Sequence, residues 1–105
     1  KLYFQATDGT NGAELWVTDG TPGGTHIVKD IYPGSPDGIG NVLSASALGG
    51  QLIFAANDGT NGEELWITDG SSAGTTMLAD IRSPGSSSPE QFHTFGGKVF
   101  FSALD

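Results

Sequence analysis

The chain has 105 residues, of which twelve are acidic and four basic, giving a formal net charge of −8 at pH 7, and it has no cysteine. Such a charge repels phosphate backbones and anionic lipid head groups, so nucleic acid and membrane surfaces are not expected partners and cations are the favoured charged ones. Disulfides and thiolate metal sites are excluded, and no apolar run approaches the roughly 20 residues of a membrane-spanning helix.

Seventeen glycines and five prolines interrupt the chain at short intervals and leave no window for an amphipathic helix of ordinary length. Between them lie segments rich in β-branched and aromatic residues, which predict strands at 2–6, 14–18, 26–31, 42–48, 52–56, 64–68, 76–81, 91–95 and 98–103. The LeuGlyGly at 48–50 and PheGlyGly at 95–97 predict tight hairpins, because glycine supplies the positive φ of primed turns.

The chain also repeats itself. LYFQATDGTNGAELWVTDGTPGGTHIVKDI at 2–31 returns as LIFAANDGTNGEELWITDGSSAGTTMLADI at 52–81, so Asp8, Trp16 and Asp19 recur as Asp58, Trp66 and Asp69 with a period of 50 residues. That period suits a small antiparallel sheet of about four strands. The expected units are 1–50, 51–97 and a further piece, 98–105, whose KVFFSALD restates the opening KLYFQATD. Several strands are apolar on both faces, so each sheet needs a cover on each side, as the blades of a β-propeller have. The expected fold is therefore all-β, with antiparallel four-stranded, propeller-like blades: two repeats and an extra terminal strand. One blade would run 42–48, 52–56, 64–68, 76–81. Two repeats do not close a ring, so either several chains assemble, as an oligomer or filament, or the sequence continues in a longer repeat chain.

The segments ELWVTDGT at 14–21 with GlyThr at 24–25, and ELWITDGS at 64–71 with GlyThr at 74–75, resemble the bacterial ELWxxDGTxxGT tandem repeats. The resemblance covers nearly the whole chain and implies propeller-like repeats in large secreted or surface-associated proteins. An extracellular or cell-surface location follows from it as an expectation, and kelch blades are an architectural analogue.

Three residue groups are candidates for chemistry. The loop DGTNG with a following Glu offers Asp8, Asn11 and Glu14, then Asp58, Asn61 and Glu64, oxygen ligands of the kind calcium accepts. The same residues also fit a tight turn in which Asp and Asn hydrogen-bond the backbone. Trp16 and Trp66 could offer flat rings to a glycan, yet each lies mid-strand between apolar neighbours, where packing between sheets is the simpler role. Asp19 and Asp69 read as turn residues, and Asp30 and Asp80 as carboxylates that fasten the ProGlySer loops at 33–35 and 84–86. Catalytic signatures are thin: His26 and His93 fall at non-equivalent places in the repeat, and no serine sits in a GxSxG elbow. The expected function is a non-enzymatic extracellular module that self-assembles into a surface or filament and binds through its loops. The alternative is a calcium-dependent carbohydrate-binding module.

Overall fold

The computed structural model describes residues 1–34, 36–39 and 44–105. Its strands are β1 (Leu2–Ala6), β2 (Glu14–Thr18), β3 (His26–Lys29), β4 (Ala45–Leu48), β5 (Gln51–Asn57), β6 (Glu63–Thr68), β7 (Thr76–Ala79), β8 (Glu90–Phe95) and β9 (Lys98–Ser102). All nine predicted strands form. The one expected at 42–48 is seen from Ala45, with 42 and 43 outside the described residues and Ser44 outside the strand, and those expected at 26–31 and 76–81 end at Lys29 and Ala79.

The strands make three antiparallel sheets: A, of β1-β2-β3; B, of β4-β5-β6-β7; and C, of β8-β9. Sheet B is the expected four-stranded unit in the expected order. Sheet A repeats its last three strands with the same pairings, Phe4 opposite Trp16 as Phe54 is opposite Trp66. Both copies also shift register at one place, between Leu15 and Trp16 and between Leu65 and Trp66. The sheets stay open, and the described residues close no ring. At the β8-β9 turn Gly96 and Gly97 take φ values of 61° and 75°, which an L side chain adopts only with strain.

Side chains alternate along a strand, so each sheet has two faces. The front of sheet A carries Tyr3, Leu15 and Val17, and Leu15 and Val17 join Val28, Ile31 and Ile39 in one buried cluster with Phe54, Ala56 and Trp66 on the back of sheet B. Lys29 ties the two sheets at the edge, donating from Nζ to the Thr75 carbonyl at 3.1 Å. On the front of sheet B, Ile53, Ala55 and Leu65 are buried as well. Sheet C meets B along β4: the Thr94 hydroxyl hydrogen-bonds Ser46, the cross-strand partner of Ile53, and donates to the Ala47 carbonyl at 2.5 Å. On the same face of sheet C as Thr94, Phe92 and Phe101 stack with ring centroids 5.4 Å apart. The core thus lies between sheets A and B, with sheet C set against the edge strand β4 of B.

Candidate functional site

The DGTNG loops are built the same way twice. Asp8 Oδ1 accepts from the Thr10 and Asn11 amides at 2.9 and 2.8 Å, and Oδ2 accepts from Asn11 Nδ2 at 2.9 Å. Asp58 makes the same three bonds with Thr60 and Asn61, at 2.9, 2.8 and 2.8 Å. Two amide donors on one oxygen favour the ionised carboxylate. The Asn11 and Thr10 amides hold Asp8 below the usual carboxylate range, and the bonds from Asn61 and Thr60 do the same for Asp58 against the opposing effect of burial. Each Asp therefore closes its own turn with both oxygens. Tyr32 lies across the second of these loops, where a Cβ on Gly59 would stand 2.6 Å from its ring.

The glutamates of the same segments work elsewhere. Glu14 and Glu64 are fully buried within β2 and β6. Glu14 accepts from the Ile31 and Tyr32 amides, both at 3.1 Å. Glu64 accepts from the Ile81 amide at 2.7 Å, the Ser87 amide at 2.9 Å and the Ser87 hydroxyl at 2.6 Å. These carboxylates anchor the loops that leave β3 and β7. The same loops are pinned again by backbone bonds: Gly38 donates to the Ala13 carbonyl at 2.9 Å and Ser87 to the Glu63 carbonyl at 2.9 Å. Asp30 and Asp80, expected to fasten those loops, do not: the buried Oδ1 of Asp30 has no hydrogen-bond partner, and Asp80 is exposed.

Burial pushes the Glu14 carboxyl up to about 7, against the pull of the Tyr32 and Ile31 amides. The folded chain therefore holds this proton more tightly than the unfolded chain, whose carboxyl has the ordinary value of 4.5. Its contribution to stability is fully present below 4.5 and is lost as pH rises through about 7, a change on the order of 3 kcal/mol. Burial and the neighbouring Glu90 and Glu64 charges raise Glu63 in the same sense. The turn aspartates act in the opposite sense, but below the ordinary value of 3.8. Urea unfolding is expected to show a more stable protein at pH 5 than at pH 8, with most of the difference gone in Glu14→Gln.

The next turn completes the repeated motif. Asp19 accepts from the Thr21 amide at 3.0 Å and the Thr21 hydroxyl at 2.6 Å, as Asp69 does from Ser71 at 2.9 and 2.6 Å. The hydroxyls of Thr18 and Thr25 pair at 2.6 Å and those of Thr68 and Thr75 at 2.7 Å. A Cβ on Gly24 would stand 2.0 Å from Asp19 Oδ1, and one on Gly74 2.1 Å from Asp69 Oδ1, whereas Gly23 has open space around it. The repeat obeys this difference, with Ala73 where Gly23 stands and glycine kept at 74. Gly74→Ala is expected to displace the Asp69 carboxylate and cost about 1–2 kcal/mol in thermal or urea unfolding, against under about 0.5 kcal/mol for Gly23→Ala.

Of the predicted ligands, then, Asp8 sits with Asn11 and Asp58 with Asn61, while Glu14 and Glu64 are directed to other loops. Among the described residues no three His, Cys, Asp or Glu side chains gather in a way that could hold a metal ion. Trp66 lies in the core, and Trp16, half-buried, sits beside Phe4 with ring centroids 6.5 Å apart; both indole N–H groups are without an acceptor. His26 and His93 are exposed.

Sequence reasoning missed an open cleft of about 410 Å³ lined by Lys1, Tyr3, Gln51, Asp69 and the Gly49-Gly50 turn. Its charged lip is Asp69, lowered chiefly by its bonds from Ser71 and also by Lys1, while burial and the Asp69 charge raise the Tyr3 hydroxyl. The wall comes from three distant stretches of chain, and no local pattern announces it. Comparison of the chain with protein-family models, with curated proteins and with solved structures finds no match to any of them.

Proposed function

We propose that this chain is a non-enzymatic structural module of propeller-like sheets that assembles through its open ends into a surface or filament and presents its turns for binding. One observation carries the reading. The acid, amide and hydroxyl groups that the repeat keeps in both copies, in Asp8, Asn11, Glu14, Asp19 and Thr25 and their counterparts, hydrogen-bond the chain itself. A motif of that kind maintains a shape that stacks. The sheets it shapes are apolar on both faces, which suits repeated packing better than a solitary domain. An extracellular or cell-surface setting accords with the resemblance to the ELWxxDGTxxGT repeats.

The mass of the particle in solution, followed by light scattering over a range of concentration, tests the reading. Particles well above the 10.8 kDa of one chain are expected. A monomer at every concentration would overturn the assembly role. The calcium-dependent carbohydrate reading asks Asp8 and Asp58 to offer a cation oxygens that already hold amide protons, and a calorimetric titration with calcium is expected to give only heat of dilution.

A further inference from the structure

The two copies of the repeat differ in one respect that sequence does not explain: what covers them. Phe54, Thr68 and Thr75 on sheet B are fully buried, whereas their counterparts in sheet A are not, Phe4 and Thr18 being half-buried and Thr25 exposed. Sheet B carries sheet A on its back face, whereas among the described residues no second sheet lies on the back face of sheet A, where the loop after β3 covers only the Glu14 end. That face presents Leu2, 64% exposed, with Phe4, Trp16 and Ile27, the counterparts of Leu52, Phe54, Trp66 and Met77.

At the other end, the front of sheet C is open in the complementary way. His93 pairs with Phe100 and Phe95 with Lys98, so Phe95 and Phe100 share the face opposite to Phe92, Thr94 and Phe101. Phe95 is 71% and Phe100 56% exposed. Phe100 restates Tyr3 of sheet A, whose ring packs against the buried cluster, and Ile53 of sheet B, which is buried. The described residues therefore leave uncovered the two halves of an interface the chain already contains: a front face of the kind that A lays on B, and a back face of the kind that B offers to A.

We infer that the occupant of each open face is a second copy of this chain, stacked head to tail so that Phe95 and Phe100 of one molecule cover Leu2, Phe4, Trp16 and Ile27 of the next. The inference deepens the assembly reading proposed above and rests on it. Because the two surfaces differ, the contact is heterologous and leaves one face of each kind free at the ends of every stack, so it propagates unless the stack curves into a ring. Each copy carries a net charge of −8, so added salt strengthens the association by screening the repulsion between copies.

Sedimentation velocity on the wild-type chain and on single charged substitutions tests this. Phe100→Glu blocks the front face and Leu2→Glu the back face, and both positions are exposed enough for the variants to fold. Each variant alone is expected to associate at least tenfold more weakly than wild type. Mixed in equal amounts they are expected to form a one-to-one dimer and nothing larger, because each supplies the face the other lacks. Leu78→Glu, at an exposed position on β7 outside both surfaces, should associate as wild type does. Association that survives both blocked variants, or is abolished by Leu78→Glu instead, would overturn the assignment of faces while leaving the assembly reading intact. A wild-type monomer up to about 1 mM, a concentration at which even weak complexes form, would remove both.

Discussion

Glu64→Ala should be among the most damaging substitutions in this chain, costing about 3–5 kcal/mol in urea or thermal unfolding, a large part of the stability of a domain of this size. The carboxylate is fully buried in β6 and is the acceptor for the Ile81 amide, the Ser87 amide and the Ser87 hydroxyl. Removing it strands three donors at a buried position, and an unsatisfied buried donor costs about 1–3 kcal/mol. It also frees the 81–87 loop that follows β7. Glu63→Ala is the control. That residue is only half-buried, so its loss should cost under about 1 kcal/mol. Similar losses at the two adjacent glutamates would show that the buried anchor is not formed.

The second large effect separates two phenylalanines that occupy one position of the repeat. Phe54→Ala is expected to cost about 3–5 kcal/mol, because the ring is fully buried between sheets A and B and its removal leaves a cavity. Phe4→Ala should cost about 1–2 kcal/mol in the same assay, since its half-buried ring lies on a face that no other sheet covers among the described residues. Under conditions where copies associate, the gap should narrow as Phe4 becomes covered in turn.

The strands were legible because they are short, rich in β-branched and aromatic residues, and bounded by glycines. The repeat fixed their grouping, so sheet B appears in the order expected of it. Glu14 and Glu64 were legible only as acids near Asp8 and Asp58. Spacing placed them in one ligand set, but the alternation of a strand turns the glutamate into the interior, where its partners are amides 17 or more residues further on. A signal was present all the same. A glutamate followed directly by LeuTrp inside an apolar strand, in a chain with four basic residues, needs backbone donors if it is buried at all. The loops those glutamates hold were credited to Asp30 and Asp80, which stand nearer in sequence but do not reach them. The contrast between Phe4 and Phe54 could not be read from sequence, because exposure depends on which neighbour a face meets.

The repeated aspartates spend their oxygens on the turns of the fold itself, and the amide resonances of Thr60 and Asn61 report on that role most directly. Both donate to Asp58 Oδ1. Nitrogen-15 NMR with slow-exchange measurements, before and after calcium is added, should find these two amides protected from solvent and unmoved by calcium. Saturable calcium-dependent shifts at Thr60 and Asn61, with their counterparts at Thr10 and Asn11, would contradict it.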